Sequence, residues 1–192
     1  VVLPAFSEPM LLEAIQTHRA TETFLVPTMI KAVIEHPAFS AFDTSSLALI
    51  IYGAAPIEDS LLEQALKALP QAEFCQAYGM TELSPVATAL TDWWHKDPSQ
   101  AKKRRSAGRP IATAEVRIVD PDGQTVPNGS VGEILVRAPT VMVGYWNKPD
   151  ETAAALKDGW MQKAFTADDL WHCALVDRVG NVMRPYMESL IA

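Results

Sequence analysis

The sequence predicts an α/β protein: a parallel βαβ sheet followed by a small β-rich, distorted barrel-like subdomain. Three observations predict it. An unbroken apolar run of strand length stands at residues 47–52, as in strands buried on both faces of a parallel sheet. Strand-type and helix-type segments alternate from residue 23 to residue 77, the spacing of βαβ units. From residue 108 onward the hydrophobic period falls to two, with turns between short runs, which predicts antiparallel strands.

Residues 8–19 place Leu11, Leu12, Ile15 and Arg19 in helical register, with Ser7 as N-cap and Pro9 in the first turn. Thr23 to Val26 form a short strand stopped by Pro27, and residues 28–35 return to helical spacing until Pro37 ends them. The strand at 47–52 is broken by Gly53-Ala54-Ala55-Pro56. An amphipathic helix follows over 58–69, stopped by Pro70, and Glu73 to Ala77 form the next strand, ended by Tyr78-Gly79. Residues 91–106 read as a polar connection carrying Trp93-Trp94-His95 and a solvated basic run, Lys102 to Arg105; His95 reads as a surface or helix-end residue. Ala114 to Val119 and Gly132 to Arg137 alternate with period two around Pro121-Asp122-Gly123 and Pro127-Asn128-Gly129 turns. Residues 149–157 read as a short helix. The expected organisation is an α/β subdomain over 1–106, a β-rich subdomain over 107–160 and an irregular tail over 161–192.

The net charge of −7, with 48% hydrophobic and 20% charged residues, describes an ordinary globular protein and argues against nonspecific binding to nucleic acid. No apolar run approaches the ~20 residues of a membrane span. No signal peptide opens the chain. Cys75 and Cys173 stand far apart without zinc-ligand spacing, so they read as reduced thiols of a cytoplasmic protein. Both ends look cut, as in an internal fragment.

Two loops leave the carboxyl ends of predicted strands, one after Tyr52 and one after Ala77. Open α/β sheets bind ligands at that edge. Tyr78-Gly79-Met80-Thr81-Glu82 offers a flat ring for stacking, a glycine permitting close backbone approach, a hydroxyl for a phosphate oxygen, and a hard carboxylate suited to Mg²⁺. These residues equally suit a plain turn whose Thr and Glu cap a following helix, and residue types alone leave both readings open.

Tyr78 to Pro85 (YGMTELSP) resembles the signature of the adenylate-forming, AMP-binding superfamily of acyl-CoA synthetases, luciferases and peptide-synthetase adenylation domains. Four further stretches resemble that family in the same order: Phe24 to Met29, Tyr52 to Pro56, Ala107-Gly108-Arg109-Pro110, and Gly132 to Pro139 with Gly144-Tyr145-Trp146. The resemblance covers residues 1 to about 160. It implies that Tyr78 stacks on adenine and that Gly53, Ala54, Ala55 and Pro56 wall the adenine. It implies that Gly79 and Met80 border the bound substrates, Thr81 bonds the α-phosphate and Glu82 binds Mg²⁺. It also implies ATP, coenzyme A and a small-molecule carboxylic acid as substrates. The Met80 and Leu83-Ser84-Pro85 context resembles fatty-acid–CoA ligases. Aryl-CoA ligases, amino-acid adenylation domains and a non-catalytic remnant with weak nucleotide binding are the rivals.

The family's Gly-rich phosphate loop and its lysine-bearing small domain fall outside this sequence, so the isolated chain is expected to be inactive. Asp168 in Thr166-Ala167-Asp168 resembles the family's ribose-binding aspartate, with Ala in place of Gly and longer spacing. Arg178 in Asp177-Arg178 resembles the nucleotide-contacting arginine at the hinge. The turn expected between them is missing, and a frame error or degenerate end would account for residues 161–192.

Overall fold

The computed structural model describes residues 1–104, 106–162, 174–176 and 182–183. Helix α1 (Glu8–His18) begins where the Ser7 hydroxyl oxygen accepts the Met10 N–H at 3.4 Å, with Pro9 in the first turn, and Arg19 ends it at a left-handed φ of 50°. Strand β1 (Glu22–Leu25) gives way at once to α2 (Pro27–Ile34). Pro27 therefore does two jobs. It stops the strand and opens the helix, where its fixed φ fits and its missing N–H is not needed. Next come β2 (Leu49–Gly53), α3 (Asp59–Ala68) and β3 (Glu73–Gly79). The three strands are parallel, with Leu25 opposite Tyr52 and Gly53 opposite Ala77, so both expected βαβ units form.

The apolar stripes of the helices close on this sheet. Leu12, Ile15, Ile30, Ile50, Leu62 and Phe74 share one core and are each at most 2% exposed. Burial of such side chains contributes about 1.5–3 kcal/mol apiece, and this core holds the sheet whose strand-end loops form the candidate site.

Strand β4 (Val86–Leu90) turns back antiparallel to β3. Helix α4 (Asp92–Lys96) then occupies the segment expected to be a polar connection. Asp92 Oδ1 accepts the Phe74 N–H at 2.9 Å, and the Asp92 carboxylate also pairs with Lys96 at 3.0 Å, which pins α4 across the start of β3. His95 does sit at the end of this helix, but it is fully buried rather than at the surface. Two residues of the basic run, Lys103 and Arg104, are half-buried rather than solvated. Arg104 pairs with Glu63 at 3.4 Å, and Lys103 lies 4.9 Å from the centre of the Trp94 ring.

Strand β5 (Ser106–Pro110) pairs antiparallel with β4. The sequence assigns it to the β-rich half; in the structure it extends the larger sheet and crosses the 106/107 division. After it come β6 (Glu115–Val119), β7 (Glu133–Arg137), α5 (Pro149–Ala155), β8 (Leu156–Lys157), β9 (Trp160–Met161), β10 (Ala174–Val176) and β11 (Val182–Met183). Among the described residues the larger sheet runs β1-β2-β3-β4-β5-β10-β11, and the smaller, antiparallel one runs β6-β7-β9-β8. A second core of Tyr78, Leu83, Ala87, Ile118, Ile134 and Met161 joins the end of β3 to the small sheet. Among the described residues no helix is long and apolar enough to cross a membrane.

Candidate active site

Because β2 and β3 are parallel neighbours in register, they end side by side. Residues 54–56 leave one strand and residues 80–84 leave the other at a single edge of the sheet. Two glycines make the approach possible. A Cβ at Gly53 would overlap the Ala77 carbonyl oxygen, and one at Gly79 would overlap that of Pro85. Ala54, Ala55 and Pro56 are exposed, and Ala54 holds a left-handed φ of 64°, which costs an L-residue about 1–2 kcal/mol.

Tyr78 is 8% exposed and belongs to the second core. It stands one residue before the end of β3, so most of its ring is packed in that core. Met80 leads into a single 3₁₀ turn over Thr81–Leu83, closed by the Leu83 N–H to Met80 oxygen at 2.9 Å and ended by Ser84 at a φ of 53°. Leu83 is fully buried and anchors the turn, Thr81 is exposed and Glu82 is half-buried. No side-chain hydrogen bond caps the turn, so helix capping does not account for Thr81 and Glu82.

Glu82 is held twice by a segment distant in sequence. Its main-chain oxygen accepts the Met142 N–H at 2.8 Å. Its Oε1 accepts the Tyr145 hydroxyl at 2.8 Å. That bond to Glu82 pushes the Tyr145 phenol above its ordinary range, with burial and the charges of Glu82 and Glu151 adding to it. Glu82 Oε2 has no hydrogen bond among the described residues. A half-buried carboxylate with one oxygen committed and one open fits Mg²⁺ that takes its remaining ligands from phosphate and water.

Sequence reasoning placed Tyr145 in a motif without giving it a role at the site. Only that motif could have flagged it, because no local spacing links residues 82 and 145. Asp168 and Arg178 lie outside the described residues.

Behind this edge, Tyr52 and His95 form a buried pair at 2.7 Å. His95 Nδ1 also lies 2.9 Å from the Thr91 carbonyl oxygen. A carbonyl only accepts, so Nδ1 carries the proton and Nε2 accepts from the tyrosine hydroxyl. Burial holds the imidazole below its ordinary pKa.

Comparison with known proteins gives this geometry a family. The AMP-binding enzyme family matches residues 1–146. A medium/long-chain-fatty-acid–CoA ligase of Mycobacterium tuberculosis is 37% identical over 185 residues, covering 95% of this chain and 32% of the relative. A feruloyl-CoA synthase of an Amycolatopsis species is 38% identical over 181 residues, covering 93% of this chain and 35% of the relative. The structure of the amide bond synthetase McbA from Marinactinospora thermotolerans superposes with a TM-score of 0.80 at 35% identity, over 94% of this chain and 34% of that one. The O-succinylbenzoate coenzyme A synthetase of Bacillus subtilis, solved with ATP and magnesium, superposes at 0.75 with 27% identity, over 93% of this chain and 34% of that one. The chain thus spans about a third of the length of these relatives. It belongs to the AMP-binding enzyme family.

Proposed function

We propose that the chain is the nucleotide-edge portion of an ATP-dependent, AMP-forming acid–thiol ligase, in the first place a fatty-acid–CoA ligase. The carboxylate oxygen attacks the α-phosphorus of ATP, forming acyl-adenylate and expelling pyrophosphate. The thiol of coenzyme A then attacks the acyl carbon and AMP leaves. Adenine lies between the Tyr78 ring and the Gly53–Pro56 loop, with Met80 beside it. Thr81 donates to an α-phosphate oxygen, and Gly79 borders the substrate carboxylate. Glu82 would hold Mg²⁺, which when bound would supply positive charge to the phosphates. Asp168 and Arg178 are assigned to the ribose and the nucleotide on the resemblance alone. Catalysis of this kind is positioning and charge neutralisation, which needs these residue types and no protein nucleophile. The setting is cytoplasmic, where ATP and coenzyme A are both available.

One observation carries this reading: two strand-end loops meet at one edge, and the only carboxylate within the β3 loop, Glu82, is fixed there by Met142 and Tyr145. An aryl-CoA ligase is the second reading, supported by the feruloyl-CoA synthase relative at nearly the same identity as the fatty-acid ligase.

The test is pyrophosphate release by the full-length protein with ATP and a panel of carboxylic acids, followed by thioester formation with coenzyme A. Turnover with alkanoic acids supports the first reading and turnover with cinnamic-type acids the second. No pyrophosphate release with any acid would contradict both. The isolated 192 residues are expected to give no turnover.

A further inference from the structure

We propose that Tyr145 is a positioning residue for Glu82, holding one carboxylate oxygen so that the other is presented to a divalent cation. This rests on the role proposed for Glu82 above. The observation behind it is a relay of contacts that runs from α5 to the β3 loop.

Tyr145 is placed from its own backbone. Its N–H donates to Thr152 Oγ1 at 2.9 Å, and that hydroxyl donates to the Lys148 carbonyl at 2.8 Å, inside the first turns of α5. The residue before it has no room for a side chain. A Cβ on Gly144 would stand 2.8 Å from Thr152 Cγ2, at a φ of 149° that favours glycine. The backbone at 144–145 is therefore seated on Thr152, and the ring extends from a fixed point. The Met142 N–H to Glu82 oxygen bond, at 2.8 Å, holds the same segment against the β3 loop from the other side. With both ends tied, the tyrosine hydroxyl meets Glu82 Oε1 at 2.8 Å.

A glutamate side chain on an irregular turn has several rotatable torsions and would otherwise sample several rotamers. Fixing one oxygen removes most of that freedom before any ligand arrives. Outer-shell partners of this type commonly change metal affinity about 10–100-fold when removed. A tyrosine that merely filled space would be replaceable by phenylalanine with no effect on the cation.

The test is calorimetric titration of the full-length protein with ATP at a series of Mg²⁺ concentrations, for wild type, Tyr145→Phe, Glu82→Gln and the double variant. The expected result is that Tyr145→Phe raises the half-saturating Mg²⁺ about tenfold while leaving binding at saturating Mg²⁺ near wild type. Glu82→Gln raises it at least as much, and the double variant matches Glu82→Gln alone. Thr152→Val should shift it in the same direction by less, and Thr152→Ser, which keeps the hydroxyl, should not. A normal Mg²⁺ dependence in Tyr145→Phe, with a clear shift in Glu82→Gln, would overturn the positioning role and leave the proposed function standing. A normal dependence in Glu82→Gln would overturn the metal role itself, and the inference with it.

Discussion

The Tyr52 hydroxyl donates to His95 Nε2 at 2.7 Å inside the fold, joining the last turn of α4 to the strand that ends at Gly53. Both side chains are fully buried. Burial is the main cause holding His95 below its ordinary pKa. The Thr91 carbonyl and Asp92 oppose that, and Arg104 and Lys96 add to it.

The unfolded chain takes up a proton on this histidine near pH 6.5, whereas the folded chain does so only at lower pH. Stability is therefore complete above about pH 6.5. It falls as the pH drops toward the folded value, by at most about 1.4 kcal/mol per pH unit. Thermal unfolding between about pH 5 and 7 should show this slope in wild type and lose it in His95→Phe. Equal slopes in the two proteins would contradict it.

Much of this architecture was legible because periodicity and proline positions carry it. Leu11, Leu12 and Ile15 mark α1, and Pro27, Pro37 and Pro70 bound the elements around β1, α2 and α3. β4 and β5 were not legible. Val-Ala-Thr-Ala-Leu dilutes its β-branched residues with alanine and has no clean period-two burial, and Ser-Ala-Gly-Arg-Pro is poor in strand formers; both are strands through their pairing, β4 with β3 and β5 with β4. α4 is five residues long, too short to show a period. At the site, the two glycine-bearing loops were readable from strand ends alone. The grip of Tyr145 on Glu82 was not, because it spans 63 residues of sequence.

Gly53 has no tolerance for a side chain, since a Cβ there would overlap the carbonyl oxygen of Ala77. Gly53→Ala should force β2 and β3 apart at their ends. The expected cost is about 1–3 kcal/mol, typical of overpacking, read from the urea midpoint, with weaker ATP binding in the full-length protein. An unchanged midpoint would show that the two strand ends can part freely.

Ala54 gives the opposite expectation. Its left-handed φ of 64° costs an alanine about 1–2 kcal/mol. Glycine removes that strain but adds about 0.4–1 kcal/mol of unfolded-state freedom. The strain outweighs the added freedom, so Ala54→Gly should stabilise by roughly 0.5–1 kcal/mol. A destabilised Ala54→Gly in denaturant titration would contradict it.

Tyr78 serves the core and the proposed adenine site together, so one substitution cannot separate the two roles. Tyr78→Leu keeps apolar volume and loses the flat ring; Tyr78→Phe keeps the ring. ATP affinity of the full-length protein should fall by about 1–3 kcal/mol in Tyr78→Leu and stay close to wild type in Tyr78→Phe. Equal affinities in all three proteins would rule out stacking by this ring.

The most direct measurement is a crystal structure of the full-length protein with ATP and Mg²⁺. It should show adenine between the Tyr78 ring and residues 53–56, and a metal ion on the Glu82 carboxylate. A nucleotide bound elsewhere, with that edge of the sheet empty, would contradict the central claim.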